Sequence, residues 1–180
     1  ILTEAADLGC LQVRFTGGEP LLRLDFEDLY LFARRLGLKV LIFTNARLIT
    51  SHLADLLQRI PPRVEMEVTV YGMHKKSYET VSRVAGSFDE FKCGVDLLLE
   101  RKIPFVVKGA LLPPNKSEMK EFEDWAKTIP WMDKTPSYSM FFDLRNRRDD
   151  EKKNVLIKSL RIAPEEGVKV LTRDAEKYRK

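Results

Sequence analysis

Apolar positions along the chain alternate between two periods. The short run Leu11 to Phe15 predicts a strand over Gln12–Phe15. Phe26, Leu29, Tyr30 and Ala33 then recur at helical spacing, which predicts a helix over 26–36 stopped by Gly37. Lys39–Phe43 is a near-continuous apolar strand. Thr50 or Ser51 can cap the next helix, whose stripe is Leu53, Leu56, Leu57 and Ile60 and which ends at Pro61-Pro62. Val64–Val70 alternates: Val64, Met66, Val68 and Val70 share one face, and Glu65, Glu67 and Thr69 share the other. After a loop, Phe88–Leu99 reads as a helix with Phe88, Phe91, Val95, Leu98 and Leu99 in its stripe. Phe105–Leu112 is a strand, Lys116–Ile129 a helix, and Tyr138–Phe142 a last strand. Ile1–Leu8 reads as the tail of a helix already under way, so the N-terminal part of a larger protein is expected to be missing.

Five strands separated by helices form consecutive βαβ units, hence an α/β fold with a helix-covered parallel sheet. A doubly wound open sheet and part of a β/α barrel both fit. The alternation in Val64–Val70 favours the barrel. Strands of a doubly wound sheet tend to be apolar on both faces, whereas two carboxylates and a hydroxyl on one face suit an interior that holds a polar ligand.

Composition narrows the partners. The chain has 180 residues, 44% of them apolar, enough for one sizeable core, and no run approaches a membrane span. The charge is uneven: residues 144–180 carry twelve basic and seven acidic side chains, against near balance before them. Interspersed acids and the lack of an aromatic pattern make this a solvated helical extension and argue against a nucleic-acid partner. Cys10 and Cys93 form no C-x-x-C pair and are expected to be small buried hydrophobes in a reducing compartment.

Ligands of both architectures sit at the C-terminal ends of the strands. There the chain places Thr16, Gly17, Gly18, Glu19 and Pro20, then Thr44 and Asn45, then Glu67, Thr69, Tyr71 and Gly72, then Lys108 and Asn115, and last Asp143. Each has a plain structural alternative: a tight turn for the glycines, a loop start for Thr44-Asn45, a strand preference for Thr69, a snorkelling amine for Lys108. Together they have a coherent chemistry. A carboxylate beside free backbone groups suits an ammonium, a lysine suits a carboxylate, hydroxyl and amide groups suit ribose, and Leu111-Leu112 suit a flat adenine. His52 and His74 are expected at the surface, one on a helix and one in a loop. No P-loop, G-x-G-x-x-G, H-E-x-x-H or G-x-S-x-G occurs.

Through Phe15-Thr16-Gly17-Gly18-Glu19-Pro20-Leu21-Leu22-Arg23, Phe43–Ile49, Val68-Thr69-Val70-Tyr71-Gly72, Gly86-Ser87-Phe88, and Lys108 with Leu112–Asn115, the sequence resembles the radical S-adenosylmethionine (radical SAM) superfamily. It is most similar to the branch whose members often carry a C-terminal cluster-binding SPASM domain. The resemblance implies a partial (β/α)6 TIM-like barrel, incomplete at the N-terminus, with residues 1–143 as a core fragment holding strands 2 to 6 and 144–180 as a basic extension. It implies that Gly17, Gly18, Glu19 and Pro20 form the turn that meets the methionine amino group of SAM, with Asn45 and Thr69 near its ribose or carboxylate and Lys108 near its carboxylate. Where this branch commonly reads Asn-Gly, the chain has Asn45-Ala46, so that turn is expected to differ in detail.

The family's [4Fe–4S] cluster is held by a C-x-x-x-C-x-x-C loop that this sequence does not contain. The cluster's ligands are therefore expected outside the chain, and the chain alone is expected to be inactive and to bind SAM weakly. The activity implied for the parent is reductive cleavage of SAM to a 5′-deoxyadenosyl radical that takes a hydrogen atom from substrate. The branch suggests a peptide, and a flavodoxin or ferredoxin would supply the electron in the cytoplasm. No side chain here need act as a general acid or base, so none is named catalytic. Two other classes stay open: a non-enzymatic SAM-like ligand-binding module that lost the cluster, and an aldolase-like enzyme with Lys108 as a Schiff-base amine.

Overall fold

Five strands pair in the order in which the chain makes them. In the computed structural model, which describes residues 1–140 and 151–173, they are β1 (Gln12–Phe15), β2 (Lys39–Thr44), β3 (Met66–Val70), β4 (Phe105–Ala110) and β5 (Ser137–Ser139). All pairings are parallel and the order is β1-β2-β3-β4-β5. A doubly wound sheet reverses strand order at a switch point; this sheet advances one way, as a barrel wall does. The helices are α1 (Leu2–Asp7), α2 (Phe26–Arg35), α3 (Ser51–Arg59), α4 (Lys75–Ser82), α5 (Ser87–Glu100), α6 (Met119–Ala126), α7 (Glu151–Leu160) and α8 (Pro164–Thr172).

The two faces of the sheet differ. Val40 and Ile42 of β2, Met66 and Val68 of β3, and Phe105 and Val107 of β4 are buried in one core with Tyr30, Leu53, Leu57 and Leu98 from the helices. The alternate positions Leu41, Phe43, Glu67, Thr69, Val106 and Lys108 are only part-buried and lie outside that core. In-register partners share a face, so the pairs Thr69–Lys108 and Glu67–Val106 place these residues together on the concave side.

Local signals act where expected. Thr50, and not Ser51, is the N-cap of α3; its side chain accepts the Leu53 N–H at 3.2 Å. β3 starts at Met66, two residues later than the alternation suggests, because Arg63 turns the backbone with φ 67°. The helix expected over 116–129 begins as a 3₁₀ turn at Lys116–Glu118 and becomes α6.

Four expectations are corrected. Residues 75–82, read as a loop, form α4. Its register is set by distant partners: Tyr78 stacks on Phe91 at 5.0 Å, and Glu118 Oε2 accepts the Met73 N–H at 2.7 Å and lies 2.9 Å from Ser77 Oγ. Both cysteines are exposed, not buried. Cys93 falls off the buried α5 face of Phe91, Gly94, Val95 and Leu98, and Cys10 precedes β1 with its thiol donating to Gln12 O at 3.1 Å. Leu111 and Leu112, expected to meet adenine, are buried by the protein itself; Leu111 packs with Met140 and Ile162. Ile162 thereby docks part of the extension expected to be solvated, and Lys116 pairs with Glu166 of α8 at 3.0 Å. α7 buries none of its residues. Phe141, Phe142 and Asp143 lie outside the described residues.

Candidate functional site

The C-terminal rim of the sheet is held by one carboxylate. β1 runs into Thr16-Gly17-Gly18, where Gly17 has φ 137° and both glycines face open space with no atom within 4 Å of an added Cβ. Glu19 then caps a 3₁₀ turn, Pro20–Leu22, accepting the Leu21 N–H through Oε1 at 3.2 Å. The same Oε1 accepts the Thr44 hydroxyl at 2.8 Å, and Oε2 accepts the Asn45 N–H at 2.8 Å. The Glu19 side chain thus joins the turn after β1 to the end of β2. What it leaves toward open space is the peptide backbone of the glycines, a cradle for a hydrogen-bonding ligand.

The second turn is equally constrained. Ala46 sits at φ 61° and is fully buried, so the left-handed turn expected of an Asn-Gly pair is kept by an alanine, at a steric cost of roughly 1–2 kcal/mol. Thr44 Oγ1 accepts the Ala46 N–H at 3.0 Å, and Asn45 Oδ1 accepts the Arg47 N–H at 3.1 Å. Helix α5 presses on this turn: a Cβ at Gly94 would stand 1.9 Å from Ala46 O. Arg47 is fixed by Glu90 of α5 through Nε at 2.8 Å and Nη2 at 2.6 Å.

The third rim segment follows β3. Asn115 donates to Tyr71 O at 2.6 Å and Ala110 O at 2.7 Å and accepts the Leu112 N–H at 2.8 Å. Its amide is therefore a bracket between two loops. Burial and the Glu19 charge push the Tyr71 phenol up, and Arg47 opposes them. Tyr78 is fully buried and its hydroxyl has no partner among the described residues; burial also raises it. On the concave side, Lys108 Nζ stands 3.8 Å from Glu67 Oε1, both part-exposed, with Thr69 beside it in register.

The structure thus joins Glu19, Thr44 and Asn45 by hydrogen bonds, and Thr69 with Lys108 by strand register. His52 and His74 are exposed and face Glu27 at 3.0 Å and Glu121 at 2.9 Å. Sequence reasoning missed Glu118, Gly94 and the Arg47–Glu90 pair, since each acts across some forty residues. Among the described residues no three His, Cys, Asp or Glu side chains gather as a metal site, and Cys10 and Cys93 belong to no such group. These residues do not fit an iron–sulfur cluster.

A backbone cradle after the first strand, tied to the next strand by a buried-side carboxylate, sits on a one-way parallel sheet. The sequence profile of the Radical SAM superfamily matches residues 1–128, and the chain belongs to that superfamily. Similar proteins include the AdoMet-dependent heme synthase of Methanosarcina barkeri (strain Fusaro / DSM 804), 24% identical over 86% of this chain and 43% of that protein. The PqqA peptide cyclase of Streptomyces rochei is 44% identical over 38% of this chain and 19% of that protein. The solved structure "Native anSMEcpe with bound AdoMet and Kp18Cys peptide" superposes with a TM-score of 0.54 at 16% identity, covering 82% of this chain and 44% of that one. That likeness shows the fold, an α/β partial barrel of the TIM type. The chain spans less than half the length of these relatives.

Proposed function

We propose that this chain is the SAM-holding part of a radical SAM enzyme that acts on a peptide. The observation that carries the reading is the open Gly17-Gly18 cradle whose adjoining carboxylate is committed to Thr44 and Asn45. Because Glu19 is held by the protein, the ammonium of SAM would be met by backbone carbonyls of the Gly17–Pro20 turn, which Glu19 orients. Asn45 and Thr69 would hold ribose or carboxylate oxygens. Lys108, only loosely tethered to Glu67, would pair with the methionine carboxylate as a charge-assisted donor. In this superfamily a [4Fe–4S] cluster, held by residues other than these, would supply the electron for reductive cleavage of bound SAM. The residues here bind and orient; none of them need move a proton.

The peptide assignment draws on a relative that is a peptide cyclase and a fold neighbour solved with a peptide. A flavodoxin or ferredoxin is the proposed electron donor. The cytoplasm is the proposed compartment, since two exposed free thiols persist in a reducing setting. No helix among the described residues is long and apolar enough to cross a membrane.

The test is a SAM titration of the chain followed by amide ¹H–¹⁵N shifts. Signals of Gly17, Gly18, Asn45, Thr69 and Lys108 should move together, and Lys108→Met should weaken binding about tenfold, the loss of one charge-assisted hydrogen bond. Shifts confined to other surfaces, or an unchanged affinity in Lys108→Met, would end the reading.

A further inference from the structure

Below the rim, the concave wall carries charge where a barrel interior is ordinarily filled by bulky apolar side chains. β1 contributes Arg14, β2 Leu41 and Phe43, β3 Glu67, and β4 Val106 and Lys108; register pairs Arg14 with Leu41 and Phe43 with Glu67. Leu41, Phe43 and Val106 belong to no hydrophobic core among the described residues. Two of the charges answer each other, Lys108 and Glu67. Arg14 has no such answer. Its guanidinium lies over the Phe43 ring, 5.9 Å from the centroid, it is exposed, and it pairs with no carboxylate among the described residues.

We infer that Arg14, braced on Phe43, is the anchor for a carboxylate on the substrate, and that the peptide presents an acidic side chain to this wall. The inference rests on the peptide reading above and adds the chemistry of the residue recognised. Three features support it. The face is concave and contiguous with the Thr69–Lys108 layer, so a group bound at Arg14 lies on the same wall as the proposed cofactor contacts. The guanidinium keeps its planar fork of donors free, which suits bidentate capture of a carboxylate. The aromatic contact restrains a long side chain before binding, which lowers the entropy lost when the pair forms. Of the cations on this wall, Lys108 is assigned to SAM and Lys39 lies at the opposite, N-terminal end of β2, which leaves Arg14 for the substrate.

The test titrates the chain with acetyl-Ala-Glu-Ala-amide and with its Gln counterpart, reading the Arg14 Nε–H signal and the Phe43 amide. A saturable shift with the Glu peptide, at least tenfold weaker with the Gln peptide and lost in Arg14→Gln, is the expected result. Phe43→Leu, which keeps bulk but removes the ring, should weaken binding a few-fold. No saturable shift, equal response to both peptides, or full binding by a folded Arg14→Gln would overturn the inference. SAM added to the same sample reads Gly17 and Lys108 separately, so failure of the cofactor reading and failure at Arg14 are distinguishable.

Discussion

β3 carries two proteins on one strand. Toward the helices it presents Met66, Val68 and Val70, all buried to within 2%. Toward the concave side it presents Glu67 and Thr69, part-exposed and beside Lys108. The same five residues of backbone serve both, so the difference lies wholly in what each face meets. The helix side is closed by packing, and its identity is set by volume. The concave side is open, and its identity is set by charge and hydrogen bonding. Stability resides on one face and the proposed chemistry on the other.

The largest test of that division exchanges the faces in one pair of variants. Met66→Ala should cost about 2–5 kcal/mol in urea unfolding, as a buried large-to-small change does. Glu67→Ala, one residue away, should stay within about 0.5 kcal/mol, because its pair with Lys108 is long and part-exposed. Equal losses would break the comparison. The rim stands between the two faces. Glu19→Gln keeps the shape but turns an NH2 toward one of three donors, and should cost about 1–3 kcal/mol in the same assay. A loss within error would mean that the Glu19 bridges do not hold the rim. The smallest effect lies on the outer helix α6. Lys120, then Lys127, hold the Asp124 carboxyl down at about 2. A folded value below the unfolded one contributes stability that is complete above the ordinary carboxylate range and lost as pH falls toward 2. Asp124→Asn should therefore lower Tm slightly at pH 7 and leave it unchanged near pH 2; a difference that persists in acid would assign the effect to packing.

Much of the architecture was legible in the chain. Strand β3 announced its two faces by strict alternation, and α3 announced its start through Thr50 and its end through Pro61-Pro62. The Gly17-Gly18-Glu19-Pro20 turn was legible as a site but not in its wiring. A carboxylate beside two glycines suggests a group offered to a ligand, whereas Glu19 is bound to Thr44 and Asn45. Helix α4 was illegible because its Lys- and Ser-rich stretch has little apolar stripe, and the carboxylate that holds its entry, Glu118, comes from the 3₁₀ turn before α6. The cysteines were misread because residue type gives only an average tendency to burial. Helical phase places Cys93 outside, next to the face that carries Gly94.

The sequence alone determined the period of each element, the family, and the residue types that gather at the strand ends, because periodicity and turn chemistry are local. Only the tertiary structure decided which of those residues are free. Asn115 is tied to the Tyr71 and Ala110 backbone and Glu19 to Leu21, Thr44 and Asn45, while among the described residues Arg14 meets an aromatic ring and no acid. Availability depends on who else is within hydrogen-bond reach, and folding sets that across distances no local pattern records.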